Sequence, residues 1–290
     1  MIIDAHFHLD EQLLTVPQML TKMDDAGIDR TALMAALVDP FPEPPAFIAS
    51  AGQYILKHRP LRRLGKKLAA NFTAKGIDIL GIDYALYPDP DNGPVFELAE
   101  QYPDRFNAWA FVNPRGLKNP VTEAKEWLDH PACVGIKAHP FWHRYRPLEL
   151  METAALAASK NKPLIIHAGF DEEGDYLPLI HEIPGLKLIL AHCGFPEYAD
   201  TWYKILKNKN IFIDISQTSY VSSRTIKEAL ALLGPERCIF GTDGPFGIHG
   251  KDDLFDYREI KKRIETLVPD EGTRRRILGE NFAELAGIQL

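Results

Sequence analysis

Two stretches, Pro163-Leu164-Ile165-Ile166-His167-Ala168-Gly169 and Leu188-Ile189-Leu190-Ala191-His192-Cys193-Gly194, are apolar runs that each end in a histidine followed by small residues. Both are too short for helices and apolar at consecutive positions, as strands buried on both faces of a parallel sheet must be. Working outward, His139, His167, His192, Asp214 and Asp243 lie 28, 25, 22 and 29 residues apart, about one strand–helix unit each. Strands are expected at Ile2–His6, Thr31–Val38, Phe106–Val112, Val134–His139, Leu164–His167, Leu186–His192, Ile211–Ile215 and Cys238–Thr242. Helical periodicity appears between them, at Val16–Ala26, Val95–Gln101, Thr122–Asp129, Leu148–Lys160 and Ser223–Leu233. A doubly wound sheet would alternate in the same way. Eight strands, with polar residues at the same end of six, favour a closed α/β barrel of the (β/α)8 TIM type, whose chemistry gathers at the C-terminal ends of its strands.

The chain of 290 residues suits one such domain, residues 1–290. The interval 39–95 is too long for a single helix and reads as an insertion after strand 2 that covers the active-site face. It contains Pro40, Pro42, Pro44 and Pro45 and a basic run (Lys57, His58, Arg59, Arg62, Arg63, Lys66, Lys67), read as a solvated face. Overall, 33 Lys+Arg against 40 Asp+Glu give a net charge of −7, which offers phosphate backbones and anionic lipid no attraction. No apolar run approaches the ~18 residues of a membrane span, and the N-terminus does not read as a secretory signal, so a cytoplasmic location is expected. Cys133, Cys193 and Cys238 are widely spaced, which argues against a disulfide framework or a zinc knuckle. The expected partner is a small-molecule substrate, with neither nucleic acid nor membrane; association into a homo-oligomer is allowed.

His6 and His8 form a His-x-His pair at the end of the first strand, where residues two apart point to one side and can converge on one metal ion. His167 and His192 end successive strands at matching positions. Asp243 follows Ile239-Phe240-Gly241-Thr242, and a carboxylate at the mouth of a buried strand needs a cation or hydrogen bonds. Imidazoles with a carboxylate suit zinc, manganese or iron, and such an ion activates water near neutral pH. In that scheme Asp243 accepts the proton of the water, while His192 orients the substrate or binds a second ion.

Asp4-Ala5-His6-Phe7-His8-Leu9, Gly135-Ile136-Lys137-Ala138-His139-Pro140, the two strand-end histidines and Phe240-Gly241-Thr242-Asp243-Gly244-Pro245-Phe246 resemble the amidohydrolase superfamily. Within it they are most similar to the amidohydrolase-related branch that includes aminocarboxymuconate semialdehyde decarboxylase. Met23–Arg30, Tyr102–Phe106 and Ile277–Phe282 extend the likeness over nearly the whole chain outside 39–95. The resemblance implies a distorted (β/α)8 barrel, with His6, His8, His167 and Asp243 as ligands of one divalent ion and His192 as a catalytic or second-metal residue. Gly244 departs from the pattern, in which Tyr or Ser often follows the aspartate, and the pocket wall is expected to differ there.

Lys137 shares a strand face with His139, and a buried ammonium must be paired, deprotonated or modified. In dinuclear members of the superfamily a lysine on the fourth strand is carboxylated and bridges two metals. Charge pairing, substrate binding and surface exposure are the other readings of Lys137. His139, Arg144 and Arg146 are candidate substrate-binding residues, the arginines as clamps for a carboxylate or as ordinary loop surface. Asp214 reads as structural. Nucleotide-binding, serine-hydrolase and His-Glu-x-x-His motifs are missing. The reading that follows is a zinc-type hydrolase that uses activated water to cleave a C–N or C–O bond in a small amide, lactone or ester. Non-oxidative decarboxylation is the alternative, and a barrel that binds metal or ligand without turnover the third.

Overall fold

The computed structural model describes residues 1–40, 46–68, 72–73, 76–79, 82–219, 221–247 and 254–289. It begins β1 (Ile3–Leu9), α1 (Val16–Ala26), β2 (Arg30–Ala35). The insertion follows, as α2 (Ala46–Lys57), α3 (Arg62–Leu68) and a small antiparallel sheet of β3 (Phe72–Thr73), β4 (Gly76–Ile79) and β5 (Ile82–Ala85). The repeat resumes with α4 (Gly93–Gln101), β6 (Phe106–Phe111), α5 (Pro120–Leu128), β7 (Cys133–Ala138), α6 (Pro140–His143), α7 (Met151–Ser159) and β8 (Leu164–Ile166). Next come α8 (Leu177–Glu182), β9 (Leu188–Leu190), α9 (Ala199–Ile205), β10 (Ile211–Asp214), α10 (Ser223–Leu233) and β11 (Cys238–Ile239). The chain ends in α11 (Tyr257–Leu267), α12 (Glu271–Arg275) and α13 (Asn281–Ala286).

Eight parallel strands run in the order β1-β2-β6-β7-β8-β9-β10-β11. Beyond β11 the backbone returns to β1: Ala5 N donates to Phe240 O at 3.1 Å, Asp243 N to His6 O at 2.7 Å and His8 N to Gly244 O at 2.7 Å. The result is a (β/α)8 barrel with an insertion after strand 2. Because α4 begins at Gly93, the insertion ends slightly earlier than the expected limit of 95. The interior carries Ile3, Ala32, Met34, Trp109, Val134, Ile165, Ile189 and Ile239, closed at one end by Phe282 and Leu285 of α13. The opposite faces of the strands pack against the helices, with Leu164, Ile166, Leu188 and Leu190 in that outer core. Continuous apolar runs are thus used on both faces.

Local signals in the sequence set the helix ends. Gly27, at φ 64°, closes α1 in the left-handed conformation that only glycine adopts without strain. The Ser222 hydroxyl accepts from Thr225 N to begin α10, and Asn119 accepts from Val121 N and Thr122 N to begin α5.

Two register irregularities decide which side chains enter the barrel. Between Asp4 and Phe7, β1 carries an extra residue relative to β2. Ile3 and Ala5 therefore face inward below it, whereas Phe7 joins the outer core above it. The change of parity turns His6 and His8 inward. A second extra residue lies in β7 opposite the Ala108–Trp109 step. Val134 faces in and Ile136 out, so Lys137 and His139 follow on the inner side. Gly135 occupies this bulge because a Cβ there would meet Pro163 O at 2.3 Å and Trp109 Cζ3 at 2.7 Å.

The insertion lies against loops that follow barrel strands: Arg62 of α3 pairs with Asp200, at the start of α9, and Lys66 with Asp171, after β8. All three cysteines are buried and free. Among the described residues no helix is long and apolar enough to cross a membrane.

Candidate metal centre

The strand ends enclose a cavity of about 60 Å³. Its polar wall includes His8, Lys137, His139, His167, Gln217 and Asp243; Leu37, Val38, Trp142 and Phe246 form the apolar side. His6 Nε2 lies 3.0 Å from Asp243 Oδ1, and His8 Nε2 3.6 Å from the same oxygen. These three residues form one of two groups, among the described residues, whose ligand atoms all lie within 4.8 Å of one another. Gly241 permits the approach of β1 to β11, since a Cβ there would come within 2.9 Å of His6 Cβ.

The second group, His6, His192 and Asp214, explains itself as hydrogen bonding. Asp214 Oδ2 accepts from His6 Nδ1 at 2.9 Å, and Asp214 Oδ1 from His192 N at 3.0 Å. Ser216 Oγ donates to Asp214 Oδ1 and accepts from His192 Nδ1 at 2.7 Å. His8 Nδ1 donates to Ala35 O at 3.1 Å. Each Nδ1 proton is thus used at the back of the ring, which leaves Nε2 of a neutral ring unprotonated; His6 itself is raised, burial and Lys137 being outweighed by Asp214 and Asp243 on its two sides. Asp214, read as structural from the sequence, sets the tautomers of two site histidines. Only its place at a strand end was visible there.

Burial pushes His8 down to about 3 and His192 to about 4, so both rings are neutral at pH 7. Burial, then His192 and Lys137, also holds His167 well below the usual range. His167 Nε2 is buried without a hydrogen-bond partner. An orphaned imidazole nitrogen costs free energy unless something occupies it, and it stands in the same cavity wall as His8 and Asp243. Unprotonated Nε2 atoms, a carboxylate oxygen and this orphan make a donor set that fits a divalent transition metal.

Lys137 is fully buried, with Nζ 3.1 Å from His6 Nε2; surface exposure is ruled out. Burial lowers it to about 8, with Asp243 and Asp214 opposing, so a further positive charge nearby would favour the neutral amine. Asp243 Oδ2 accepts from Gln217 Nε2 at 3.0 Å and lies 3.9 Å from His192 Nε2. His192 does not line the cavity; it stands behind Asp243. His192, Gln217 and Asp243 have positive φ values of 53°, 60° and 61° at the ends of three successive strands. Such backbone costs ~1–3 kcal/mol per residue and persists where its surroundings demand it. Another carboxylate, Asp4, ties β1 to the end of the last strand: it accepts from His6 N at 3.1 Å, Thr242 N at 3.0 Å and Thr242 Oγ1 at 2.5 Å.

Three residues singled out in the sequence lie off the cavity wall. Arg144 pairs with Glu173 at 3.1 Å and Arg146 lies 3.9 Å from Asp175; neither lines the cavity. Gly244 faces the Phe7 ring rather than the pocket, since a Cβ there would come within 2.2 Å of Phe7 Cε2. The wall on that side is Phe246.

The fold is that of a (β/α)8 barrel whose strand ends bring together histidines and an aspartate able to hold a metal ion. The sequence profile of the amidohydrolase family matches residues 3–287, and the chain belongs to that family. No curated protein matches it. Among solved structures, a 2,6-dihydroxybenzoate decarboxylase complexed with 2,6-dihydroxybenzoate is 16% identical, with TM-score 0.62 and 99% of each chain covered. A probable 2-pyrone-4,6-dicarboxylic acid hydrolase from Acinetobacter baumannii, with citric acid bound, is 17% identical, with TM-score 0.63 and 99% of each chain covered. A 4-oxalomesaconate hydratase from Rhodopseudomonas palustris is 15% identical, with TM-score 0.61, covering 99% of this chain and 96% of its own. At these identities the likeness is one of fold.

Proposed function

We propose that this amidohydrolase-family protein is a metal-dependent hydrolase that cleaves a C–N or C–O bond in a small amide, lactone or ester. The observation that carries the reading is the meeting of His6 Nε2, His8 Nε2 and Asp243 Oδ1 at a cavity whose wall also includes His167, with its partnerless Nε2. His6, His8, His167 and Asp243 would hold one divalent ion, zinc in our assignment, with manganese and iron suited to the same donors; a second ion would call on Lys137 and His192. Once bound, such an ion polarises a substrate oxygen and activates water near neutral pH.

The chain's own residues supply the proton chemistry. Asp243, with one oxygen held by Gln217, takes the proton of the attacking water and returns it to the leaving group. His192 Nε2, behind Asp243, steadies that proton while it is held. The apolar wall of Leu37, Val38, Trp142 and Phe246 keeps bulk water away from the reacting atoms. Decarboxylation is the second reading, supported by Lys137, an amine in the cavity wall able to donate hydrogen bonds to a carboxylate.

Turnover in ¹⁸O-labelled water separates the two. Hydrolysis puts the label in the product without carbon dioxide release, and Asp243→Asn lowers kcat by ~10²-fold or more. Stoichiometric carbon dioxide from a carboxylated aromatic substrate, with no hydrolysis across ester, lactone and amide panels, would replace the first reading by the second.

A further inference from the structure

His139 shares the cavity wall with His8, His167 and Asp243, yet its ring is wired in the opposite sense. It ends β7 and caps α6, and its Nδ1 accepts the backbone N–H of Trp142 at 3.1 Å. That N–H is always a donor, so Nδ1 carries no proton. The ring is then neutral, with its single proton on Nε2. His6, His8 and His192 instead donate through Nδ1, which keeps Nε2 of the neutral His8 and His192 rings as an acceptor. In the cavity wall, therefore, His139 presents a ring donor beside the ring acceptor of His8. An N–H has nothing to offer a cation and most to offer an oxygen that gains negative charge.

We propose that His139 Nε2–H receives the carbonyl oxygen of the substrate as charge develops on it, which restricts the enzyme to acyl substrates: amides, esters or lactones. The assignment rests on the hydrolytic reading. As the oxygen of water bonds to the carbonyl carbon, the C=O π pair moves onto the carbonyl oxygen, where Nε2–H hydrogen-bonds to it and keeps its proton. When the pair returns, the bond to the leaving group breaks and that group takes the proton given up by water. His139 is neither acid nor base in this sequence; it is a fixed dipole.

Two substitutions separate the cavity donor from the helix cap. His139→Asn keeps a side-chain oxygen near the place of Nδ1 to cap Trp142, and loses the donor. His139→Gln reaches the place of Nε2 with an amide N–H, and loses the cap. With zinc-loaded protein and p-nitrophenyl acetate, the Asn variant is expected to lose ~10²–10³-fold in kcat with little change in KM or melting temperature. The Gln variant should keep kcat within about tenfold and melt at a lower temperature. In ¹⁵N-histidine spectra His139 should be the Nε2–H tautomer, its proton signal moving downfield on adding methylphosphonate, a tetrahedral oxyanion. Wild-type kcat in the Asn variant, an Nδ1–H tautomer, or an Nε2–H signal indifferent to methylphosphonate would each overturn the assignment. If wild-type protein turns over no acyl substrate, the hydrolytic reading fails by itself, and the spectra still decide whether His139 is an oxyanion donor.

Discussion

Asp214 touches no part of the cavity, yet two histidines of the site depend on it. One oxygen takes the Nδ1 proton of His6; the other takes the backbone N–H of His192 and the hydroxyl of Ser216. Without it both rings are free to turn or change tautomer, and their Nε2 atoms lose their aim. Asp214→Ala is expected to weaken zinc binding by ~10–100-fold, the usual cost of removing an outer partner of a ligating histidine. Competition against a chelator of known affinity measures this, and an unchanged affinity would show that the rings are held by packing alone. Gly244 makes a different demand. Phe7 packs against Phe255 and Tyr257, at ring-centroid distances of 5.4 and 5.7 Å, and has no room to move from an added methyl. Gly244→Ala should cost ~1–3 kcal/mol, read as a lower denaturation midpoint with the m-value unchanged. The sequence exposes residues such as His167 and Asp243 because they are polar ends of apolar runs. It hides the direction of a side chain, which is why Asp214 reads as structural with no partner named, and Arg144 and Arg146 stay open between clamps and loop surface.

The elements themselves are largely legible. Val16–Ala26 and Ser223–Leu233 show helical periodicity with cap residues at both boundaries, and the helices occupy those spans. Strand positions follow from apolar runs, but their ends do not: the regular ladder of β11 covers only Cys238–Ile239, since the backbone beyond it turns across to β1. Neither bulge is visible in the sequence, because one extra residue leaves an apolar run apolar while reversing every side chain beyond it. Gly135 tests this. In Gly135→Ala the new Cβ would strike a backbone oxygen that cannot swing away, so β7 must shift and Lys137 and His139 with it. Loss of turnover greater than the loss of folded protein is expected, measured as kcat at a temperature where circular dichroism shows the variant fully folded. Undiminished kcat would mean that the bulge does not aim these side chains. The insertion is proposed to cover part of the site, on the strength of Arg62–Asp200 and Lys66–Asp171. Lys66 and Asp171 are more than half exposed, so their ion pair adds little stability. Lys66→Ala should leave the melting temperature nearly unchanged, and removing Arg62 and Lys66 together should raise KM; an unchanged KM would remove the insertion from the site.

At the scale of the molecule, one barrel separates two tasks. Its interior is apolar toward α13, where Trp109, Ile165, Ile189 and Phe282 fill the space. Toward the C-terminal ends of the strands it becomes polar, and there the histidines and aspartate converge, as barrels of this architecture place their chemistry. Burying so many ionisable groups is unfavourable unless something compensates, and hydrogen bonds account for the backs of the rings but not for His167 Nε2. The account therefore stands on an ion at this place. Elemental analysis of protein purified without chelator tests it most directly, on wild type and on the His6→Ala, His8→Ala double variant. Near-stoichiometric zinc, manganese or iron in the wild type, lost in the double variant while the fold is retained, is the predicted result. A wild type holding less than about a tenth of an ion per chain and taking up none on addition, or a double variant of full occupancy, would contradict it.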